Sequence, residues 1–304
     1  MHRTRASERS PQDGATISCE IKMPSAGAKK YCVSVSEPMI PVLCYHRVGG
    51  PLELGVTRVA RSVFARQVHA LAQAGWRTLS LTEFATRVQR GVLASRNELL
   101  LTFDDGYASL AELAYPILAG VAFTATTFVI TDFVGRANTW DVRYSWRRPV
   151  HLDWRTIERW RGRGFTFASH TASHLRLTWL DDQRVADELG RSRDALMQRL
   201  GADAGRAVAY PFGAQDRRIE RLAGAAGYEL GFGGVQADGS PLNLPRVPVY
   251  SWDIGRMPFG VRDDLVGRAG RYVAHLANRC AVGTSLIKGR GTRGSGLGTS
   301  GPRS

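Results

Sequence analysis

Apolar and polar positions along the chain follow two alternating periods. "MIPVLCYHRV" is a nearly unbroken apolar run and predicts a buried strand. "RSVFARQVHALAQAG" repeats apolar residues at helical spacing and closes on Gly75, a C-cap. "TLSLTEFATRVQRG" predicts a short strand, then a Thr-capped helix ending at Gly91. The pattern repeats downstream. "ELLLTFDDG", "AFTATTFVI", "FTFASH", "AVAYPFG" and "YELGFGG" read as strands, separated by the helical stretches "SLAELAYPILAG", "DWRTIERWRGRG", "DDQRVADELGRSRDALMQRLG" and "DRRIERLAGAAG". Such alternation means an α/β fold with a parallel sheet and helices packed outside it. About seven strand–helix units predict a closed or nearly closed barrel, with chemistry at the carboxyl ends of the strands.

The two ends lack this pattern. Residues 1–37 are rich in Ser, Pro, Gly and Lys and read as a loose extension, leaving 38–279 for the barrel. Residues 280–304 read as a disordered tail, of Gly/Ser/Arg low complexity from Lys288 onward. The 304-residue chain is 43% hydrophobic and 22% charged, ordinary for a globular enzyme. No apolar run approaches the roughly 18–20 residues that span a membrane. The basic start has no apolar signal core, so a cytoplasmic location is expected, or an envelope-associated one if the true start differs. The net charge of +14 raises nucleic acid as a partner, but the arginines are dispersed and no nucleic-acid-binding signature accompanies them. No nucleic-acid partner is expected. Cys19, Cys32, Cys44 and Cys280 lack paired spacing and read as free thiols.

The strand "LLLTF" runs straight into Asp104-Asp105-Gly106. Adjacent like charges repel, and a buried carboxylate is costly without a partner. Capping the helix that begins near Ser109 needs one acid, not two. A second strand ends in "SHTASH". If Ser173 and Leu175 start a helical turn, His170 and His174 share a face. Alone, this pair fits a decorated loop as well as a metal site. Together with one Asp it makes a three-ligand open site, and the other Asp remains as a base. Gly106 permits the turn that brings both carboxylates to one place. His46 ends the first strand, at the mouth of the expected barrel, where it is either a site residue or a satisfied core histidine. His2, His69 and His151 read as surface residues.

"TFDDGY", "SHTASH" and "AYPFG", in this order, resemble the leading motifs of the polysaccharide deacetylases, the NodB-like carbohydrate esterase family 4. "PVLCYHRVG" and "LPRVPVY" resemble the subgroup that opens with a Tyr-His strand. The resemblance covers roughly residues 38–255. It implies a distorted (β/α) barrel and metal-dependent removal of N- or O-acetyl groups from a sugar polymer or its oligosaccharide precursor. It further implies that Asp104 is the catalytic base and that Asp105, His170 and His174 are metal ligands, with Thr171 positioning the second histidine's loop. Phe212 matches the position whose backbone N–H faces the oxyanion, and Tyr210 precedes the motif's Pro in the manner of the Tyr-His subgroup, as a substrate-orienting residue. The family's usual Arg two residues before that Pro is Ala209 here, and Arg246 is the substitute guanidinium. The family's C-terminal His finds only His275, on a helix exterior, so His46 is the better proton donor.

Zn²⁺ suits two His and one Asp best, with Co²⁺, Ni²⁺ or Fe²⁺ as alternatives. The expected partner is an acetylated amino-sugar polymer or oligosaccharide, on which Trp140, Trp146, Trp154 or Trp179 could stack. The rival reading is a non-catalytic carbohydrate-binding protein on the same barrel, against which an intact Asp104 argues.

Overall fold

The computed structural model describes residues 40–50, 56–92, 97–139, 148–235 and 237–289. The expected N-terminal extension therefore lies outside the described residues. The first part of the described chain contains β1 (Val42–Tyr45), β2 (Arg47–Val48), β3 (Arg58–Val59), α1 (Arg61–Gln73), β4 (Arg77–Thr78), α2 (Leu81–Arg90) and β5 (Glu98–Phe103). Next come α3 (Tyr115–Ala119), β6 (Thr126–Val129), α4 (Trp154–Arg161), β7 (Thr166–Ser169) and α5 (Asp182–Leu200). The chain continues through β8 (Ala207–Ala209), α6 (Arg217–Ala225), β9 (Leu230–Phe232), β10 (Val247–Pro248) and α7 (Leu265–Gly289). The strands pair in parallel in the order β10-β1-β5-β6-β7-β8-β9, with β4 on the first half of β5. This is the expected barrel, seven strands curled into a half-barrel. The gap between β9 and β10 is spanned by their connection, where Leu244 and Arg246 hydrogen-bond to Gly231 and Gly234.

Alternation along each strand sorts side chains into two layers. Leu43 and Tyr45 of β1 and Leu99, Leu101 and Phe103 of β5 pack with Phe64, Val68 and Leu71 of α1 and with Tyr115 of α3. The intervening Val42 and Leu100 face the enclosed side, with Phe128, Ala168, Ala209, Phe232 and Phe84 of α2. Each such buried side chain contributes about 1.5–3 kcal/mol. Turn chemistry starts the helices. Asp153, Asp181 and Asp216 each accept a hydrogen bond from the backbone N–H three residues on, and these caps open α4, α5 and α6.

Four local expectations change. The first strand does not run through residue 48: it ends at Tyr45, and Arg47–Val48 pairs with Arg58–Val59 instead. The helix after β4 is capped by Ser80, whose hydroxyl accepts from the Glu83 N–H while the Glu83 carboxylate accepts from the Ser80 N–H. The helix expected over 109–120 opens as a wide π-turn at Leu110–Ala114. Pro116 has no N–H for regular α-helical bonding there. The boundary expected at residue 280 falls inside α7, which continues to Gly289. Among the described residues no helix is long and apolar enough to cross a membrane.

Asp253 ties the segment after β10 to α1. Its Oδ2 accepts from the Phe259 N–H at 2.9 Å, while its backbone carbonyl accepts from Gln67 Nε2 at 2.7 Å. Oδ1 is buried without a hydrogen-bond partner. Burial pushes this carboxyl up to about 6. A group raised above its unfolded value binds protons more tightly in the folded state, so stability falls as pH rises from about 4 to 6. Asp253→Asn should remove that slope and stabilise the protein at pH 8 by roughly 1–3 kcal/mol, read from denaturant unfolding at pH 4 and pH 8.

Candidate active site

Strand parity carries the enclosed face to the carboxyl ends of the strands. Val42 and Cys44 lead to His46, Leu100 and Thr102 to Asp104, and Ala168 to His170. Asp104, Asp105, His170, His174 and Arg246 are all buried. Neither Asp caps a helix: the residue that precedes the Leu110 turn is Ser109, and no side chain caps it.

Asp105 reaches the same pocket as Asp104 by leaving the extended conformation. Its φ is +67° and that of Gly106 is +65°, the left-handed region that side chains disfavour. A Cβ on Gly106 would stand 2.8 Å from Val129 Cγ1, so only glycine fits. The turn is held from outside. His151 Nδ1 donates to the Asp105 carbonyl at 2.7 Å, and the Leu152 N–H donates to the Gly106 carbonyl at 2.8 Å. His151 is thus buried rather than on the surface, stacked on Tyr107 with ring centroids 5.0 Å apart. Burial pushes its pKa down to about 4, and the neutral Nδ1–H tautomer fits the carbonyl it meets. The signal for this residue was its place in the apolar run Val150-His151-Leu152 beside the Asp153 cap.

His170 and His174 do not share a helical turn. Thr171 and His174 have φ of +64° and +62°, and the loop is a pair of tight bends. The Thr171 hydroxyl accepts from the His174 N–H at 3.2 Å, the positioning role expected of it. Glu188 of α5 accepts from both the Ser173 N–H and its hydroxyl, at 2.9 and 2.6 Å, and sequence reading missed this anchor. His170 Nδ1 donates to the Ala209 carbonyl at 2.8 Å. That bond fixes the tautomer and leaves the Nε2 lone pair facing Asp105 Oδ1 at 3.5 Å. His174 Nε2 lies 3.5 Å from the same oxygen. Two donors around a tetrahedral zinc stand about 3.3 Å apart for bond lengths near 2.0–2.1 Å. The set Asp105, His170 and His174 therefore fits a divalent cation, in donor type and in spacing.

Asp104 belongs to a different partner. Arg246 grips it with both guanidinium arms, Nη1 to Oδ1 at 2.6 Å and Nη2 to Oδ2 at 2.9 Å. Nε of the same arginine donates to the Gly233 carbonyl at 3.3 Å. The thiol of Cys44, a free cysteine, lies 3.4 Å from Asp104 Oδ2. Burial alone would raise this carboxyl, but Arg246 and then His170 outweigh it and hold Asp104 well below the usual carboxylate range. Arg246 thus supplies the guanidinium that Ala209 cannot. His46, Cys44 and Asp104 bring one polar atom each to within 4.8 Å of one another. His46 Nδ1 is buried without a hydrogen-bond partner, and burial pushes the ring down to about 4.

Other expected residues separate. Phe212 sits at a left-handed corner, φ +62°, with its ring 4.9 Å from that of His174. Tyr210 does not face the mouth. It has the parity of Val208, packs against Val185, Leu189 and Ile219 of the helix layer, and donates its hydroxyl to the Leu242 carbonyl at 2.9 Å. A direct substrate-orienting role is therefore withdrawn. His275 lies half-buried on α7. Trp154 packs on the outer core, Trp179 is 51% exposed, and Trp140 and Trp146 lie outside the described residues.

The fold is a curled parallel half-barrel of the (β/α) deacetylase type, with an Arg-held carboxylate beside a donor set that fits a cation at its strand ends. The model of the family Polysaccharide deacetylase matches residues 93–231 of the chain. YxkH of Bacillus subtilis is 27% identical over 214 residues, 69% of this chain and 71% of that protein. The poly-beta-1,6-N-acetyl-D-glucosamine N-deacetylase of Staphylococcus aureus is 24% identical over 196 residues, 62% of this chain and 67% of that protein. In fold the chain is similar to the Streptococcus pyogenes deacetylase PplD, with a TM-score of 0.63 at 23% identity over 72% of this chain and 95% of that one. It is also similar to IcaB from Ammonifex degensii, with a TM-score of 0.62 at 24% identity over 77% of this chain and 97% of that one.

Proposed function

We propose that the chain is a metal-dependent polysaccharide deacetylase that removes N-acetyl groups, or O-acetyl groups, from an amino-sugar polymer or its oligosaccharide precursor. The supporting observation is the split of two neighbouring carboxylates, Asp104 into the Arg246 grip and Asp105 between two imidazoles. A carbohydrate-binding module has no use for that division. Asp105, His170 and His174 would hold the ion, zinc before cobalt, nickel or iron. Bound there, a divalent ion supplies Lewis acidity toward the acetyl carbonyl and acidifies water.

Asp104 is ionised across the working pH range. It accepts a proton from the attacking water, whose oxygen bonds to the carbonyl carbon. The backbone N–H of Phe212 donates to the oxyanion that forms. Collapse breaks the carbon–nitrogen bond, and the amine leaves with a proton as acetate forms. His46 is the proposed donor of that proton. It is neutral at pH 7, so it gains its proton during turnover, and Asp104 in the same cluster has just taken one from water. His46→Ala should lower turnover about a hundredfold at unchanged metal content. The loss should shrink for an activated ester whose leaving group needs no proton. His275→Ala as the more damaging change would move the donor to α7.

The substrate is found by measuring acetate release from poly-β-1,6-N-acetylglucosamine, chitin oligomers, peptidoglycan and acetyl-xylan. Release from an N-acetylated glycan is expected. Release from acetyl-xylan alone would assign O-deacetylation, and release from none would sink the proposal.

A further inference from the structure

We propose that Arg176, with Trp179 and Phe212, forms a glycan subsite that takes a carboxylate-bearing sugar next to the acetylated one; this rests on the deacetylase reading above. The metal-ligand loop does not stop at His174. Its next residues climb to the surface, where Leu175 is 38% and Trp179 51% exposed. The Arg176 guanidinium carbon lies 5.3 Å over the Trp179 ring and 6.0 Å over the Phe212 ring. Phe212 in turn meets His174 edge-on at 4.9 Å. A line of π surfaces thus runs from a ligand histidine to solvent, with one cation set into it.

That cation differs from three other arginines of similar or deeper burial. Arg206, Arg218 and Arg246 each pair with a carboxylate. Arg176 pairs with none among the described residues, and its Nε and Nη1 are buried without hydrogen-bond partners. Leaving two charged donors dry and unmet is costly, and the arrangement makes sense when a ligand brings the acceptor. With its faces over aromatic rings, the guanidinium has its edge left to offer. Nε and Nη1 each share an edge with Nη2, and the two parallel N–H groups of either edge match the two oxygens of a carboxylate, whereas a hydroxyl takes one. Trp179 offers a flat exposed ring on which a sugar face can stack. The net charge of +14 favours the approach of an acidic polymer.

The test compares two probes, a tetrasaccharide alternating N-acetylglucosamine with glucuronate, and the N-acetylglucosamine tetramer. Binding is followed by tryptophan fluorescence and turnover by acetate release, at low and high salt. Wild type should bind the acidic probe more tightly, and salt should erase the preference. Arg176→Gln should weaken binding of the acidic probe about ten- to hundredfold, the scale of a lost charged hydrogen-bond pair. Its loss on the neutral tetramer should be at least tenfold smaller. Arg176→Lys, which keeps the charge and stem but not the fork, should fall between, and it serves where the Gln variant does not fold. Equal loss on both probes, or a wild type that binds them equally at every salt concentration, would overturn the subsite. Arg176-dependent binding of the acidic probe without acetate release from any glycan would uphold the subsite and reject the reaction.

Discussion

Asp104→Asn should retain bound zinc and lose acetate release by about 10²–10⁴-fold, the range for a missing general base. The amide is nearly isosteric and keeps an oxygen for one arm of Arg246, so the pocket stays shaped while its proton acceptor disappears. Asp105→Asn, His170→Ala and His174→Ala should instead lose metal and turnover together. Each removes one of the three donors that converge within 4.8 Å. Zinc per chain, measured by atomic emission on each purified variant, separates the two classes. An Asp104→Asn protein that binds no zinc would reverse the roles of the two carboxylates.

Arg246→Met should be the most destabilising single change at the site, by about 3–5 kcal/mol, because it strands a buried carboxylate. The contribution of Asp104 to its pH dependence should carry the opposite sign to that in wild type. In wild type the depressed Asp104 contributes stability above its unfolded value, near 4, that is lost as pH falls through the lower folded value. Without Arg246 burial dominates, the folded carboxyl rises above its unfolded value, and stability is lost as pH increases through it. Unfolding in urea, with chelator present throughout, should therefore show a larger deficit at pH 8 than at pH 4. Adding Asp104→Asn to Arg246→Met should recover part of the stability and none of the activity. A deficit independent of pH would mean that Arg246 acts through packing against Phe128 and Gly233 rather than through Asp104.

The strand–helix alternation and the ends of the strands were legible because period and parity are local. Parity alone places Asp104 and His170 on the enclosed face, and the same count from Val208 would have turned Tyr210 toward the helices. Arg246 was legible only through the family resemblance, whose usual Arg is Ala209 here, and the structure places its guanidinium on Asp104. The ligand loop was misread in its geometry. His170 and His174 converge through left-handed residues at Thr171 and His174, and such conformations in non-glycine residues leave no periodic trace. Glu188 and His151 were illegible for another reason. Each looks locally like an ordinary helix or loop residue, and each acquires its role from backbone that folding brings against it from fifteen or more positions away.

The most direct measurement is acetate release from an N-acetylglucosamine polymer by the purified protein, before and after metal removal with a chelator and after zinc is restored. The account predicts release that disappears with the metal and returns with zinc, in wild type but not in Asp104→Asn. Release that survives complete metal removal would contradict it, as would a zinc-loaded wild type that frees no acetate from any acetylated glycan.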